Sequence, residues 1–250
     1  MSSISLRKAA AALAVSLSLA SLTSPIRAAP AASGPDPKAL DVISQAKAAM
    51  GGDAWDKLKG WHEVGVHNGA RYEAWLDPQQ YGMSTRETGP DGVTAHGFDG
   101  RVTWRRGADG AVARDDSADA VAAAEQSDYL RLSGYFYPSR FKADLAYVGA
   151  KDEAGRTYDV VHVTPAGAGA DIWFDQETHL PSRAVIQEGA ATVTIRFTDY
   201  RVIDGVLAPF HTMVSDGDPT HDDDARVTVL DFGAVDRAAF APPAGDAPAK

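Results

Sequence analysis

The sequence predicts a mainly β (α+β) protein: one sheet of about eleven antiparallel strands, curled into a barrel or half-barrel, with two principal helices. Three observations carry this. From Trp61 onward apolar and polar residues alternate with period two, most regularly at 191–198, where Ala191, Val193, Ile195 and Phe197 are separated by Thr192, Thr194, Arg196 and Thr198. Asp-Gly occurs five times, at 91–92, 99–100, 109–110, 204–205 and 216–217. Each pair tolerates the positive φ angles of a tight reversal between neighbouring strands. Strand-like runs recur about every ten residues, the spacing of a meander and not of βαβ units.

Residues 1–29 stand apart and read as a cleaved secretory signal peptide. Arg7 and Lys8 precede an apolar run at 9–22, and Ala28-Ala29-Pro30-Ala31-Ala32 then offers A-x-A-like cleavage positions. That run is fourteen residues long, short of the roughly 18–20 that a membrane-spanning helix needs. A helix opens at Asp36-Pro37, with Asp as N-cap and Pro in the first helical position, and stops at Gly51-Gly52. Leu40, Ile43, Ala46 and Met50 form its apolar stripe. A short second helix starts at Asp53 and carries Trp55 and Leu58.

Strands are expected at 63–67, 71–77, 80–87, 101–105, 146–151, 156–163, 171–174, 183–187, 191–198, 207–214 and 226–232. One helix interrupts them at 118–132, capped by Ser117, with Val121, Ala124, Tyr129 and Leu132 on one face. The aromatic loop Tyr135-Phe136-Tyr137-Pro138 closes it. The folded domain is expected over 36–240, with no second domain, and the Ala/Pro/Gly-rich residues 241–250 read as a mobile tail. So large a sheet accumulates twist and curls. Its inward side chains enclose either a packed core or a ligand cavity.

Composition excludes several classes of function. The chain has no cysteine, hence no disulfide framework, zinc-thiolate site or thiolate nucleophile. Its 24 basic and 34 acidic residues give a net charge of −10, and removal of Arg7, Lys8 and Arg27 leaves 21 basic residues and −13. Such a field repels a phosphate backbone, so nucleic acid is not an expected partner.

Motifs add little chemistry. There is no P-loop, G-x-S-x-G or H-E-x-x-H. Gly167-Ala168-Gly169 lacks the third glycine and the βαβ context of a dinucleotide loop and reads as a flexible hairpin. His62, His67, His96, His162, His179, His211 and His221 show no ligand-like spacing. Asp99, Asp109, Asp175, Asp199 and Asp204 read as turn-forming residues whose carboxylates bond nearby backbone. The acidic loop from Asp216 to Asp224 is oxygen-rich enough to raise the question of calcium, but lacks EF-hand spacing. No cofactor, metal or catalytic residue is assigned, and the chain is not read as an enzyme.

Four segments, in order, carry a resemblance: Phe98-Asp99-Gly100-Arg101-Val102-Thr103-Trp104; Asp171-Ile172-Trp173-Phe174-Asp175; Leu180-Pro181-Ser182-Arg183; and Phe197-Thr198-Asp199-Tyr200-Arg201-Val202-Ile203-Asp204-Gly205-Val206-Leu207-Ala208-Pro209-Phe210. Together they resemble the outer-membrane lipoprotein carrier (LolA-like) superfamily, as a divergent periplasmic member, over about residues 36–240. The resemblance implies a curved antiparallel half-barrel with helices covering its concave side. It also implies a periplasmic, non-catalytic carrier of a lipid or lipoprotein acyl chain. The alternatives are a regulatory or assembly protein that touches an envelope partner, and an unrecognised hydrolase. No cysteine follows the signal peptide, unlike lipid-anchored members, and no carrier cavity arginine is matched to a position here. An exposed acyl chain costs about 0.8 kcal/mol per CH₂ in water, so a carrier needs an apolar pocket. Its expected lining is Val64, Val66, Tyr72, Leu76, Val102, Trp104, Ile172, Phe174, Val193, Ile195 and Phe197, although each of these also suits a plain core.

Overall fold

A computed structural model describes residues 36–166, 169–188 and 191–243; the signal-peptide segment and residues 244–250 lie outside them. Helix α1 (Pro37–Ala49) begins where Asp36 accepts a hydrogen bond from the Lys38 backbone N–H (2.8 Å). It buries Ala39, Val42, Ile43 and Ala46, whereas Leu40 is exposed. Of the expected stripe Ile43, Ala46 and Met50 are buried and only Leu40 is not; Ala39 and Val42 take its place. A 3₁₀ turn (Gly52–Lys57) delivers Trp55 to the interior.

Six strands follow: β1 (Trp61–His67), β2 (Ala70–Leu76), β3 (Met83–Gly89), β4 (Gly92–Phe98), β5 (Thr103–Arg106) and β6 (Val112–Asp115). Helix α2 (Ala118–Arg131) and a 3₁₀ turn (Gly134–Phe136) lead to seven more: β7 (Ala143–Glu153), β8 (Arg156–Pro165), β9 (Ala170–Asp175), β10 (Pro181–Glu188), β11 (Ala191–Ile203), β12 (Val206–Ser215) and β13 (Asp223–Asp231). A last 3₁₀ turn spans Arg237–Phe240. Thirteen strands thus replace the expected eleven. The additions are β4, which is rich in Gly, Thr and His, and the four-residue β6.

All thirteen form one sheet in the order β6-β5-β4-β3-β2-β1-β13-β12-β11-β10-β9-β8-β7. Every recorded neighbour pair is antiparallel. The chain winds outward from β1 to one edge at β6, crosses through α2 to the opposite edge at β7, and winds back until β13 pairs with β1. The sheet is mainly β, curved and not closed, a half-barrel. Each of the five Asp-Gly pairs falls at a reversal between consecutive strands. In the β11–β12 turn Asp204 and Gly205 both adopt positive φ (49° and 84°), as a two-residue primed turn requires. Register breaks at Val64/Gly65, Tyr147/Gly149 and Pro181/Arg183 add twist to the ladder.

The helices pack on one face, which is the concave one. Trp55, Tyr129, Tyr135, Phe136, Tyr137 and Phe141 fill the space beneath them, all at most 4% exposed. Trp55 meets Phe136 edge-on at 5.1 Å, and Tyr135 meets Phe174 at 5.7 Å, geometries that add about 0.5–1.5 kcal/mol beyond burial. The loop read from sequence as unusually aromatic is thus the plug of the core. Backbone bonds fix α1 at both ends: Asp36 N–H donates to Leu145 O (3.2 Å) on β7, and Leu207 N–H donates to Met50 O (2.9 Å). Among the described residues no helix is long and apolar enough to cross a membrane.

Candidate ligand-binding face

Cross-strand register decides which side chains meet. On the concave face Trp61 stands opposite Leu76, Glu63 opposite Ala74 and Gly65 opposite Tyr72. Farther round, Val161 pairs with Ile172, Ile172 with Ala184 and Ala184 with Ile195, while Ile186 pairs with Val193 and Phe197 with Thr212. Tyr72, Leu76, Ile172, Phe174, Val193, Ile195 and Phe197, expected together from sequence, therefore share this face. They divide by depth. Tyr72, Leu76, Ile172 and Phe174 are buried core; Val193, Ile195 and Phe197 are half-buried, as are Ile186, Thr212 and Val214 beside them. The half-buried set forms an apolar strip along β10–β12, at the margin of the packed core.

The other expected lining residues lie elsewhere. Val64 and Val66 are opposite Glu73 and Arg71 on the convex face, and Val66 is 40% exposed. In β1 the inward positions are held by Trp61, Glu63 and Gly65, so the strand inverts the usual rule of apolar residues inside. Trp104 is buried, but on the convex side. It stands opposite Gly97, where a Cβ would come within 2.6 Å of the indole, and its Nε1 donates to Phe240 O (2.7 Å). The Arg237–Phe240 turn covers it, an arrangement with no local signal in strand periodicity. Val102 lies in the β4–β5 turn, where its N–H donates to Asp99 Oδ1 (2.9 Å).

Sequence reasoning missed the polar half of the concave face. Glu63 Oε1 accepts from Arg131 of α2 (2.7 Å) and its Oε2 accepts from Trp61 Nε1 (2.9 Å). Tyr72 lies close by; burial and the neighbouring Glu63 carboxylate raise its phenol well above the usual range. Burial, reinforced by the Arg131 and Arg105 guanidiniums and His67, pushes the His96 imidazole down to about 4, so it is neutral at pH 7. One turn back along α2 from Arg131, Asp128 is fully buried. Its Oδ2 accepts the Gly82 N–H (3.1 Å), and burial pushes its carboxyl up to about 7.

The remaining candidates are occupied by structural duties. Asp99, Asp109 and Asp175 accept from backbone N–H groups two residues ahead (2.9, 3.0 and 3.0 Å), whereas Asp199, on β11, pairs with Arg201 (2.6 Å). Residues 167–168 lie outside the described residues. In the acidic loop Asp216 and Asp218 accept from backbone N–H groups, and Asp224 pairs with His211 and Arg226. Among the described residues no three His, Asp or Glu side chains converge as a metal site. An open depression of about 120 Å³ lies along β2–β4, lined by Arg71, Tyr72, Glu73, Arg86, Thr88 and Val93. It is below the roughly 300–1,000 Å³ of typical small-molecule sites.

No protein-family model and no curated protein sequence matches the chain. Solved structures do. A LolA superfamily protein from Nitrosomonas europaea superposes with a TM-score of 0.56 at 13% identity, covering 81% of this chain and 97% of that one. A DUF1329 family protein from Desulfovibrio piger gives 0.54 at 13% identity over 81% and 97%. A domain named for outer membrane lipoprotein sorting, from Vibrio parahaemolyticus, gives 0.53 at 15% identity over 81% and 96%. With its open thirteen-stranded sheet and helices across the concave face, the chain has the fold of the LolA superfamily.

Proposed function

We propose that this chain is a periplasmic, non-catalytic carrier of a hydrophobic ligand, an acyl chain borne by a lipid or a lipoprotein. The observation that carries the reading is the half-buried apolar strip of Ile186, Val193, Ile195, Phe197 and Val214 on the concave face of an unclosed sheet. Water contact along such a strip is unfavourable by about 25 cal/mol per Å², and an acyl chain laid on it recovers that cost on both surfaces. The fold, shared with a LolA superfamily protein and a domain named for lipoprotein sorting, supports the same reading. The aromatic plug fills the space under α1 and the 3₁₀ turns, so the guest belongs on the strip beside the plug and not beneath it.

The test is uptake of a fluorescent fatty acid by the full chain, together with native mass spectrometry of protein purified from a periplasmic extract. A retained lipid mass and saturable uptake are expected. Phe197→Asp should weaken uptake at least tenfold, since contact with one aromatic side chain is worth roughly 1.5–3 kcal/mol. Val66→Asp, on the opposite face, should leave it unchanged. A folded chain that neither retains lipid nor takes up the probe overturns the reading.

A further inference from the structure

The concave face carries a row of polar side chains that neither the core nor the apolar strip uses. Strand register sets Arg105 opposite His96, His96 opposite Thr85, Thr85 opposite Ala74 and Ala74 opposite Glu63, while Arg131 reaches Glu63 from α2. Thr85 is 8% exposed and its Oγ1 has no hydrogen-bond partner among the described residues. An unpaired hydroxyl at that depth is unfavourable unless something it can bond to arrives. His96 beside it stays neutral at pH 7 and offers both a ring N–H and a ring acceptor.

Charge chooses the guest. The carboxylates on neighbouring strand positions are engaged: Glu63 by Arg131 and Trp61, Glu87 by His67 Nδ1 (3.2 Å), and Asp115, diagonal to Arg105, by the Ser117 N–H (2.9 Å). Arg105 is exposed at the end of the row and lies outside the ion pairs of the described residues. One hydroxyl, one neutral imidazole and one uncommitted guanidinium make a donor set for an oxyanion. Such a site runs against the charge of −10 on the chain as a whole, so it is a local arrangement and not part of a general basic surface.

We propose that Thr85, His96 and Arg105 form a subsite for the anionic oxygen head group, carboxylate or phosphate, of the acyl ligand whose chain lies on the Ile195–Phe197 strip. This rests on the carrier reading and adds the ligand's head-group chemistry to it. The next row, Tyr72 and Gly65, runs from the head-group site to Val227 on β13, and β13 in turn pairs with β12 through Ala225 and Thr212.

The experiment titrates the full chain with three probes of equal chain length: a fluorescent fatty acid, the corresponding fatty alcohol, and the corresponding monoalkyl phosphate. At least tenfold tighter binding of one or both anions than of the alcohol is expected, and which anion binds tighter identifies the head group. Thr85→Val and Arg105→Gln should each erase most of that preference and leave the alcohol's affinity within twofold. Thr85→Val keeps the side-chain shape and removes a hydroxyl that has no partner among the described residues, so it separates binding from folding. Equal binding of all three probes, or a preference that both variants retain, overturns the head-group subsite and leaves the carrier reading intact. If no probe binds the wild type, the carrier reading fails and the subsite fails with it.

Discussion

Replacing Asp128 by Asn should abolish a pH-dependent loss of stability that the wild type suffers between about pH 4 and 7. Asp128 sits in the last turns of α2 with Oδ2 on the Gly82 N–H (3.1 Å) and no partner for Oδ1 among the described residues. Burial raises its carboxyl from 3.8 to about 7. The native state therefore holds this proton more tightly than the unfolded chain does. Stability from this group is complete below the unfolded value, falls as pH rises through the interval, and stays low above about 7. At about 1.4 kcal/mol per pH unit, the interval amounts to about 4 kcal/mol. Asn has nearly the same shape, accepts the same Gly82 bond and never ionises. Urea unfolding of both proteins at pH 4, 5, 6, 7 and 8 should show similar stabilities at pH 4 and an advantage for Asp128→Asn that grows to about 4 kcal/mol at pH 8. That corresponds to roughly 8–16 °C in Tm for a domain of this size. All other titrating groups are common to the two proteins, so the difference isolates this one. Parallel curves would refute the reasoning.

Three further outcomes follow from the packing. Phe240→Ala, at a side chain with no exposure in the turn whose carbonyl accepts from Trp104 Nε1, should cost about 3–5 kcal/mol in denaturant unfolding. Arg131→Met leaves Glu63 buried with Trp61 as its remaining donor and should cost roughly 1–3 kcal/mol, as thermal unfolding at pH 7 would show. His62 lies between Asp231 (2.7 Å) and Glu73 (3.0 Å); burial lowers its imidazole, but the two acceptors outweigh that and leave it raised above 6.5. Its contribution to stability is therefore present below pH 6.5 and lost as pH rises through the higher native value. An NMR titration should place the midpoint above 6.5, and His62→Gln should remove that segment of the stability profile.

Local chemistry made much of the architecture legible before any coordinates. Asp36-Pro37 and Gly51-Gly52 bracket α1 because capping and stop signals act within a turn of where they occur. The Asp-Gly pairs mark reversals because φ at those positions is a single-residue property. Strand β4 escaped notice because Gly92, Thr94, His96 and Gly97 break the apolar alternation; its inward residues serve a polar patch, and periodicity registers only greasy faces. The phase of β1 was misread for the same reason, since Glu63 and Gly65 occupy inward positions. Trp104 looked inward because its neighbours alternate correctly. What turns its burial outward is Phe240, 136 residues away in sequence, and no window of strand length contains that information. The polar row from Arg105 to Glu63 was hidden in the same way, because its members come from four strands and one helix and become neighbours through register alone.

The path of the chain from β6 to β7 has a mechanical corollary. The two rims of the open sheet are joined through α2, fourteen residues and about 21 Å of rigid rod, tied to the first rim by the short link Asp116-Ser117 and to the second by residues 132–142. Any spreading of the rims must pull on both ends of this crossbar. The short link passes any displacement on almost undiminished, and the longer one carries Tyr135, Phe136, Tyr137 and Phe141, so a displacement there is felt by the buried aromatic core. The separation of the rims and the seating of the crossbar are thus a single mechanical variable, coupled at the Leu132 end to the packing of the core.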